Sequence, residues 1–135
     1  MSKKYLLDTN VCIQFLSGKN LLLQQRFAAV SAKDKIICTV VRGELYYGAY
    51  KSQQQASSLA KIEAVLAHFP TLPFDNAAAR AFGEIRADLA RKGIPIGPYD
   101  LQIAALAITH NLLLVTHNTN EFSRVLNLQQ EDWEV

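Results

Sequence analysis

Short apolar runs without polar alternation punctuate this chain, and longer stretches at helical spacing lie between them. The runs are Tyr5-Leu6-Leu7, Lys35-Ile36-Ile37-Cys38 and Leu112-Leu113-Leu114-Val115-Thr116. Such segments fit strands buried on both faces, as in a parallel sheet covered by helices. After the first run, Val11, Ile13, Phe15 and Leu16 mark a helix that Thr9 or Asn10 can cap. Ser17-Gly18 breaks it, and Asn20 caps a second helix to about Val30, with Leu22, Leu23, Phe27 and Val30 as its stripe. Thr39 is the expected N-cap of a third, in which Val41, Leu45, Gly48 and Ala49 share one side and Glu44 falls in the second turn.

Helical spacing resumes over Gln53 to His68, with Leu59, Ile62, Val65, Leu66 and Phe69 toward the core. Pro70 ends that helix or opens a short strand near Thr71 to Phe74. Asp75 or Asn76 caps the next helix, built on Ala78, Ala81, Phe82, Ile85 and Leu89. Gly93-Ile94-Pro95-Ile96-Gly97-Pro98 is a loop, and Pro98 suits the first turn of a helix with Tyr99 and Asp100 at its mouth. That helix is apolar almost all round, through Leu101, Ile103, Ala104, Ala105, Leu106 and Ile108, and is expected to be buried. His117, Asn118, Asn120, Glu121 and Phe122 follow the last apolar run, and Trp133 is expected to pack back on the domain. Strands alternating with helices predict an α/β fold with a mainly parallel sheet.

The chain has 135 residues, half of them hydrophobic, enough for one domain with a real core and no disulfide staples. No apolar run is long enough to span a bilayer. No signal-peptide core follows Met1-Ser2-Lys3-Lys4, so a cytoplasmic protein is expected. Cys12 and Cys38 have no metal-binding spacing and read as small core residues. A net charge of +2 permits an anionic partner without demanding one.

Four acids occupy comparable places: Asp8 follows one strand, Glu44 lies just beyond the next, Asp100 opens the buried helix, and Glu121 follows the last strand. A right-handed parallel sheet brings such segments to one crevice at its carboxyl edge. Bunched carboxylates repel and raise one another's pKa, so their natural partner is a divalent cation. All-oxygen ligands suit Mg²⁺ or Mn²⁺ better than Zn²⁺. A metal there readies a water and stabilises charge on a phosphodiester.

These residues also resemble a family. Leu6-Leu7-Asp8-Thr9-Asn10, Glu44-Leu45-Tyr46-Tyr47-Gly48, Gly97-Pro98-Tyr99-Asp100-Leu101-Gln102-Ile103-Ala104-Ala105, and Val115-Thr116-His117-Asn118 with Glu121-Phe122 are similar to PIN-domain ribonucleases. Their order and spacing look like the VapC-type toxins of bacterial toxin–antitoxin pairs. The resemblance runs through Glu131-Asp132-Trp133 and implies a single three-layer α/β/α PIN domain over residues 1–135. It implies cleavage of RNA, a structured one such as tRNA, with Mg²⁺ or Mn²⁺. It also implies a homodimer and a VapB-type antitoxin whose extended segment blocks the acidic cleft. Asp8, Glu44 and Asp100 match the family's acids one for one, with Asp8 and Asp100 as metal ligands. Many relatives carry Asp at the position of Asn118. The fourth acid is therefore assigned to Glu121, with Asn118 supporting it and Thr116 as a hydrogen-bonding neighbour.

Other classes fit less well. A metal-free nuclease needs paired acid–base groups, and His68, His110 and His117 show no such pairing. An aspartyl-phosphatase wants a second Asp where Asn10 stands, a receiver domain wants an acidic pair and a late lysine, and no phosphate-cradling glycine loop is present. The remaining alternative is a catalytically silent PIN-fold module that binds RNA or protein. The number of acids argues against it, because an RNA binder gains nothing from buried negative charge.

Overall fold

In the computed structural model, which describes residues 3–135, Leu6 and Leu7 point to opposite faces of one strand and neither reaches solvent. Both faces of the sheet are therefore covered, and the chain forms three layers, α/β/α. The elements run β1 (Tyr5–Leu7), α1 (Thr9–Ser17), α2 (Leu21–Ala29), β2 (Lys35–Cys38), α3 (Thr39–Lys51), α4 (Gln55–Leu66) and β3 (Thr71–Leu72). Then come α5 (Asn76–Lys92), α6 (Pro98–Thr109), β4 (Leu113–Val115), α7 (Thr119–Phe122) and β5 (Gln130–Glu131). The strand order is β3-β2-β1-β4-β5, with every pair parallel. Central β1 sets Leu6 beside Ile36 and Leu114, and Leu7 beside Val115. No helix among the described residues is long and apolar enough to cross a membrane.

The expected core is present. Leu6, Leu7, Ile37, Leu114 and Val115 are buried in the sheet, and α6 buries Leu101 and Ile103 through Ala107. Trp133 packs edge-on against Tyr5 and Phe27, with ring centroids 5.2 and 6.0 Å away. Lys35 is buried on β2 because its ammonium donates to the Phe27 carbonyl and sits 4.2 Å above the Phe27 ring. Cys12 and Cys38 are free thiols inside the core, and burial pushes both up from their ordinary pKa.

Several boundaries differ from the sequence reading, each for a local reason. The cap of α1 is neither Thr9 nor Asn10 but Asp8 itself, in extended backbone with its carboxylate on the Thr9 N–H. Thr39 is the first residue of α3, and Cys38 holds the cap position without a side-chain bond. Ile13 is 47% exposed, because Val11 and Cys12 take the buried side of α1. The helix expected from Gln53 starts at Gln55, because Ser52 turns extended and its hydroxyl accepts the Gln54 N–H. Asn20 and Asp75 cap α2 and α5 as expected.

Candidate active site

The chain lays β2 and β3 on one side of β1, then β4 and β5 on the other, so the strand order reverses between β1 and β4. The carboxyl ends of those two strands are where open α/β sheets place a ligand crevice. Asp8 stands at the end of β1 and Thr116 at the end of β4. The Asp8 N–H donates to the Val115 carbonyl at 3.0 Å, which extends the ladder by one residue and fixes the carboxylate at the edge. One Asp8 oxygen accepts the Thr9 N–H at 2.8 Å and the other accepts the Thr116 hydroxyl at 2.8 Å. Asp8 is only 4% exposed. Burial raises its pKa against those two hydrogen bonds, and Glu44 and Glu121 raise it further by like charge.

Glu44 reaches the same place from α3. Its Oε1 accepts the Thr9 hydroxyl at 2.7 Å, so Thr9 bonds one acid through its backbone and another through its side chain. Glu121 arrives from α7. Its Oε1 accepts the N–H of Gly97 at 3.1 Å and its Oε2 accepts the Asn118 amide at 2.6 Å. Asn118 in turn donates its backbone N–H to Thr116 Oγ1 at 3.0 Å, closing a path from Asp8 to Glu121. Gly97 is the N-cap of α6, and Asp100 lies in that helix's first turn.

Asp100 carries the charge conflict of the cluster. Burial, the charges of Asp8 and Glu121, a hydrogen bond with Glu121 and the charge of Glu44 push its carboxyl up to about 7. Burial also works to raise Glu121, but the Gly97 N–H, the Asn118 amide and the Asp100 side chain together hold it below its ordinary value. Within the pair, Asp100 is the carboxyl pushed up and Glu121 the one held down. All four acids singled out in the sequence thus meet in one electrostatic neighbourhood, with Thr116 and Asn118 within its hydrogen-bond network. The donors are carboxylates and hydroxyls, with no thiolate or imidazole among them. This set fits a hard divalent cation, which would relieve the repulsion that raises Asp100.

Sequence reasoning passed over the second bond of Thr9, although a hydroxyl directly after Asp8 was a usable signal. It also gave His117 no partner. The His117 Nδ1 lies 2.9 Å from Asp132 Oδ2, and this hydrogen bond, then the charges of Asp132 and Glu134, raise the imidazole pKa. His117, Asp132 and Glu134 bring their ligand atoms within 4.8 Å of one another, and among the described residues no other group of three or more does. The four carboxylates stand looser than that; Asp8, Glu44 and Glu121 each lean on hydrogen-bond donors, while Asp100 bonds to Glu121.

Comparisons with known proteins agree with this fold. The PIN domain family model matches residues 5–127. The tRNA(fMet)-specific endonuclease VapC of Shigella flexneri is 45% identical over 96% of this chain and 98% of its own length. The protein of that name from Salmonella typhimurium is 40% identical with the same coverage. Among solved structures, that of DNA-bound VapBC from Salmonella typhimurium superposes with a TM-score of 0.92 at 39% identity, over 98% of this chain and 99% of that one. With the matched fold and these identities over nearly the full length, the chain belongs to the PIN-domain family, among its VapC ribonucleases.

Proposed function

We propose that this chain is a toxin that hydrolyses phosphodiester bonds in a structured RNA of the tRNA class, acts in the cytoplasm as a homodimer, and is silenced by a VapB-type antitoxin. PIN-domain VapC nucleases depend on a divalent metal, and here the ion is Mg²⁺, with Mn²⁺ as its substitute. The observation that carries the reading is the carboxylate cluster at the β1–β4 reversal, in which burial and then like charge drive Asp100 up to about 7. A fold does not keep such a conflict for stability, since hydrophobic residues of similar volume would serve the core as well. The relatives' names support the substrate class, and the VapBC assembly of the Salmonella structure supports the partner.

Asp8 and Asp100 would hold the cation, with Glu44 and Glu121 beside them. When bound, the ion readies a water and offsets charge on the phosphodiester. Thr9 and Thr116 orient the acids: Thr116 fixes Asp8, and Thr9 ties Glu44 to the start of α1. Asn118 and the Gly97 N–H hold Glu121 ionised at the rim.

The test is cleavage of a bacterial tRNA pool by the purified chain, with Mg²⁺ and with chelator, followed by sequencing of the new RNA ends. Discrete ends that vanish with chelator are expected. In cells, expression of the chain alone should arrest growth, and co-expression of the antitoxin encoded beside it should restore it. Intact RNA with soluble, metal-loaded protein would sink this reading in favour of a silent binding module.

A further inference from the structure

The face of α3 opposite its buried side is not plain surface. Val41, Leu45 and Ala49 go into the core, while Val40, Gly43, Glu44 and Tyr47 follow the complementary helical spacing and line a pocket of about 450 Å³. Its remaining wall is Tyr99, from the first turn of α6, next to Asp100. Tyr47 and Tyr99 are 66% and 55% exposed, a high exposure for two large aromatic side chains in a chain whose Phe122 and Trp133 are buried. The volume lies inside the range of small-molecule sites, roughly 300–1,000 Å³. Gly43 keeps the floor open, because a Cβ there would meet nothing within 4 Å.

We propose that Tyr47 and Tyr99 form a nucleobase subsite, in which one base of the RNA beside the cleaved phosphodiester stacks over the open floor at Gly43. The inference rests on the function proposed above and names the part of the substrate that this pocket takes. Three features select a base over other occupants. The lining itself holds no cation, and the nearby Lys51 ammonium lies 5.8 Å over the Tyr47 ring, engaged with that aromatic face. It holds two phenol rings, and base–aromatic stacking is how single-stranded RNA is gripped without a groove to read. It shares Glu44 with the acid cluster, so an occupant is continuous with the cleavage centre. Against a protein partner stands Glu44, a charge in the wall of the kind that the core of a protein interface excludes.

The experiment uses the full chain and a short single-stranded oligoribonucleotide carrying 2-aminopurine, whose fluorescence is quenched by stacking, with Ca²⁺ in place of Mg²⁺ to hold off cleavage. The parent should quench the probe. Tyr47→Ala and Tyr99→Ala should each weaken quenching and binding by about tenfold or more, the range of base–aromatic stacking, while Tyr47→Phe and Tyr99→Phe should bind as the parent does. Gly43→Leu fills the floor and improves helix propensity, so it should fold as well as the parent yet lose the quench. Unchanged quenching in both alanine variants would overturn the subsite. So would a loss in the phenylalanine variants accompanied by a lower melting temperature, which makes the tyrosines packing residues. An alanine variant that turns monomeric on light scattering, or loses antitoxin affinity, while its probe binding stays intact would overturn the subsite and assign the pocket to a second copy or to the antitoxin. RNA cleavage with Mg²⁺ is scored separately. A parent that quenches but never cuts loses the proposed activity and keeps the subsite, and one that cuts without quenching does the reverse.

Discussion

Substituting Asp100 by Asn preserves the side chain's shape, removes one charge, and leaves an amide that can still donate to Glu121. Cleavage of RNA should fall steeply, by about a hundredfold or more, because a displaced metal misplaces both water and charge. The metal-free variant should be at least as stable as the parent near neutral pH. The sign follows from the raised carboxyl: the folded state holds this proton where the unfolded chain has already lost it, from the ordinary carboxylate range up to about 7. The Asp100 contribution is therefore most favourable at the acid end of that window and declines as pH rises through it. Chelated parent protein should lose melting temperature over that interval more steeply than Asp100→Asn, with Asp8 leaving a residual slope in both. A variant that melts early and still cuts RNA would make Asp100 structural. His117 behaves in the opposite sense to a buried base. Its pKa is raised by Asp132, so its contribution is complete below the ordinary imidazole value and fades as pH rises through the folded one.

At the scale of elements, the C-terminal segment fastens the molecule out of proportion to its length. β5 adds only Gln130 and Glu131 to the sheet, yet Trp133 behind it packs on Tyr5 and Phe27. The Asp132 carbonyl accepts from Arg26, and the Glu134 carbonyl accepts from Asn20. Trp133→Ala should cost about 3–5 kcal/mol in denaturant unfolding, typical of a buried aromatic truncation. A cost under about 1 kcal/mol would show the tail to be dispensable. This is also where sequence reading met its limit. The three apolar runs and the all-round apolar helix were legible because burial on both faces leaves an unbroken pattern, and the four acids were legible because each stands near one end of such a pattern. β5 and α7 were not. Gln130-Glu131 is polar and is a strand only through pairing with Leu114 and Val115, and one turn from Thr119 to Phe122 is too short for helical periodicity to register. The acids' contacts were equally out of reach, since the Thr9–Glu44 bond joins positions 35 apart in the chain.

At the scale of the whole molecule, carboxylates drawn from the end of β1 and from α3, α6 and α7 converge on the reversal of strand order, so a cation held there ties several elements together. Mg²⁺ binds only where these elements are assembled, and binding to the native state alone stabilises it. The melting temperature of the parent should rise with Mg²⁺ concentration, and that of Asp100→Asn should rise less. Equal rises would move the ion away from this cleft. Purified chain at micromolar concentration is expected to run as a dimer on light scattering, and a monomer would remove the proposed assembly.

The two cysteines lend this coupling a clock. Cys12 rides on α1 one turn beyond Asp8, and Cys38 is the junction between β2 and the helix that carries Glu44. Both thiols are enclosed, and neither is ionised enough to react from within. A thiol-specific reagent can therefore reach them only while the core stands open, and its uptake counts openings of the segments that assemble the cleft. Mg²⁺ should lengthen the half-time of labelling at both positions, whereas β5 can fray without advancing it. Labelling whose pace ignores Mg²⁺ would mean that these segments open independently of the ion.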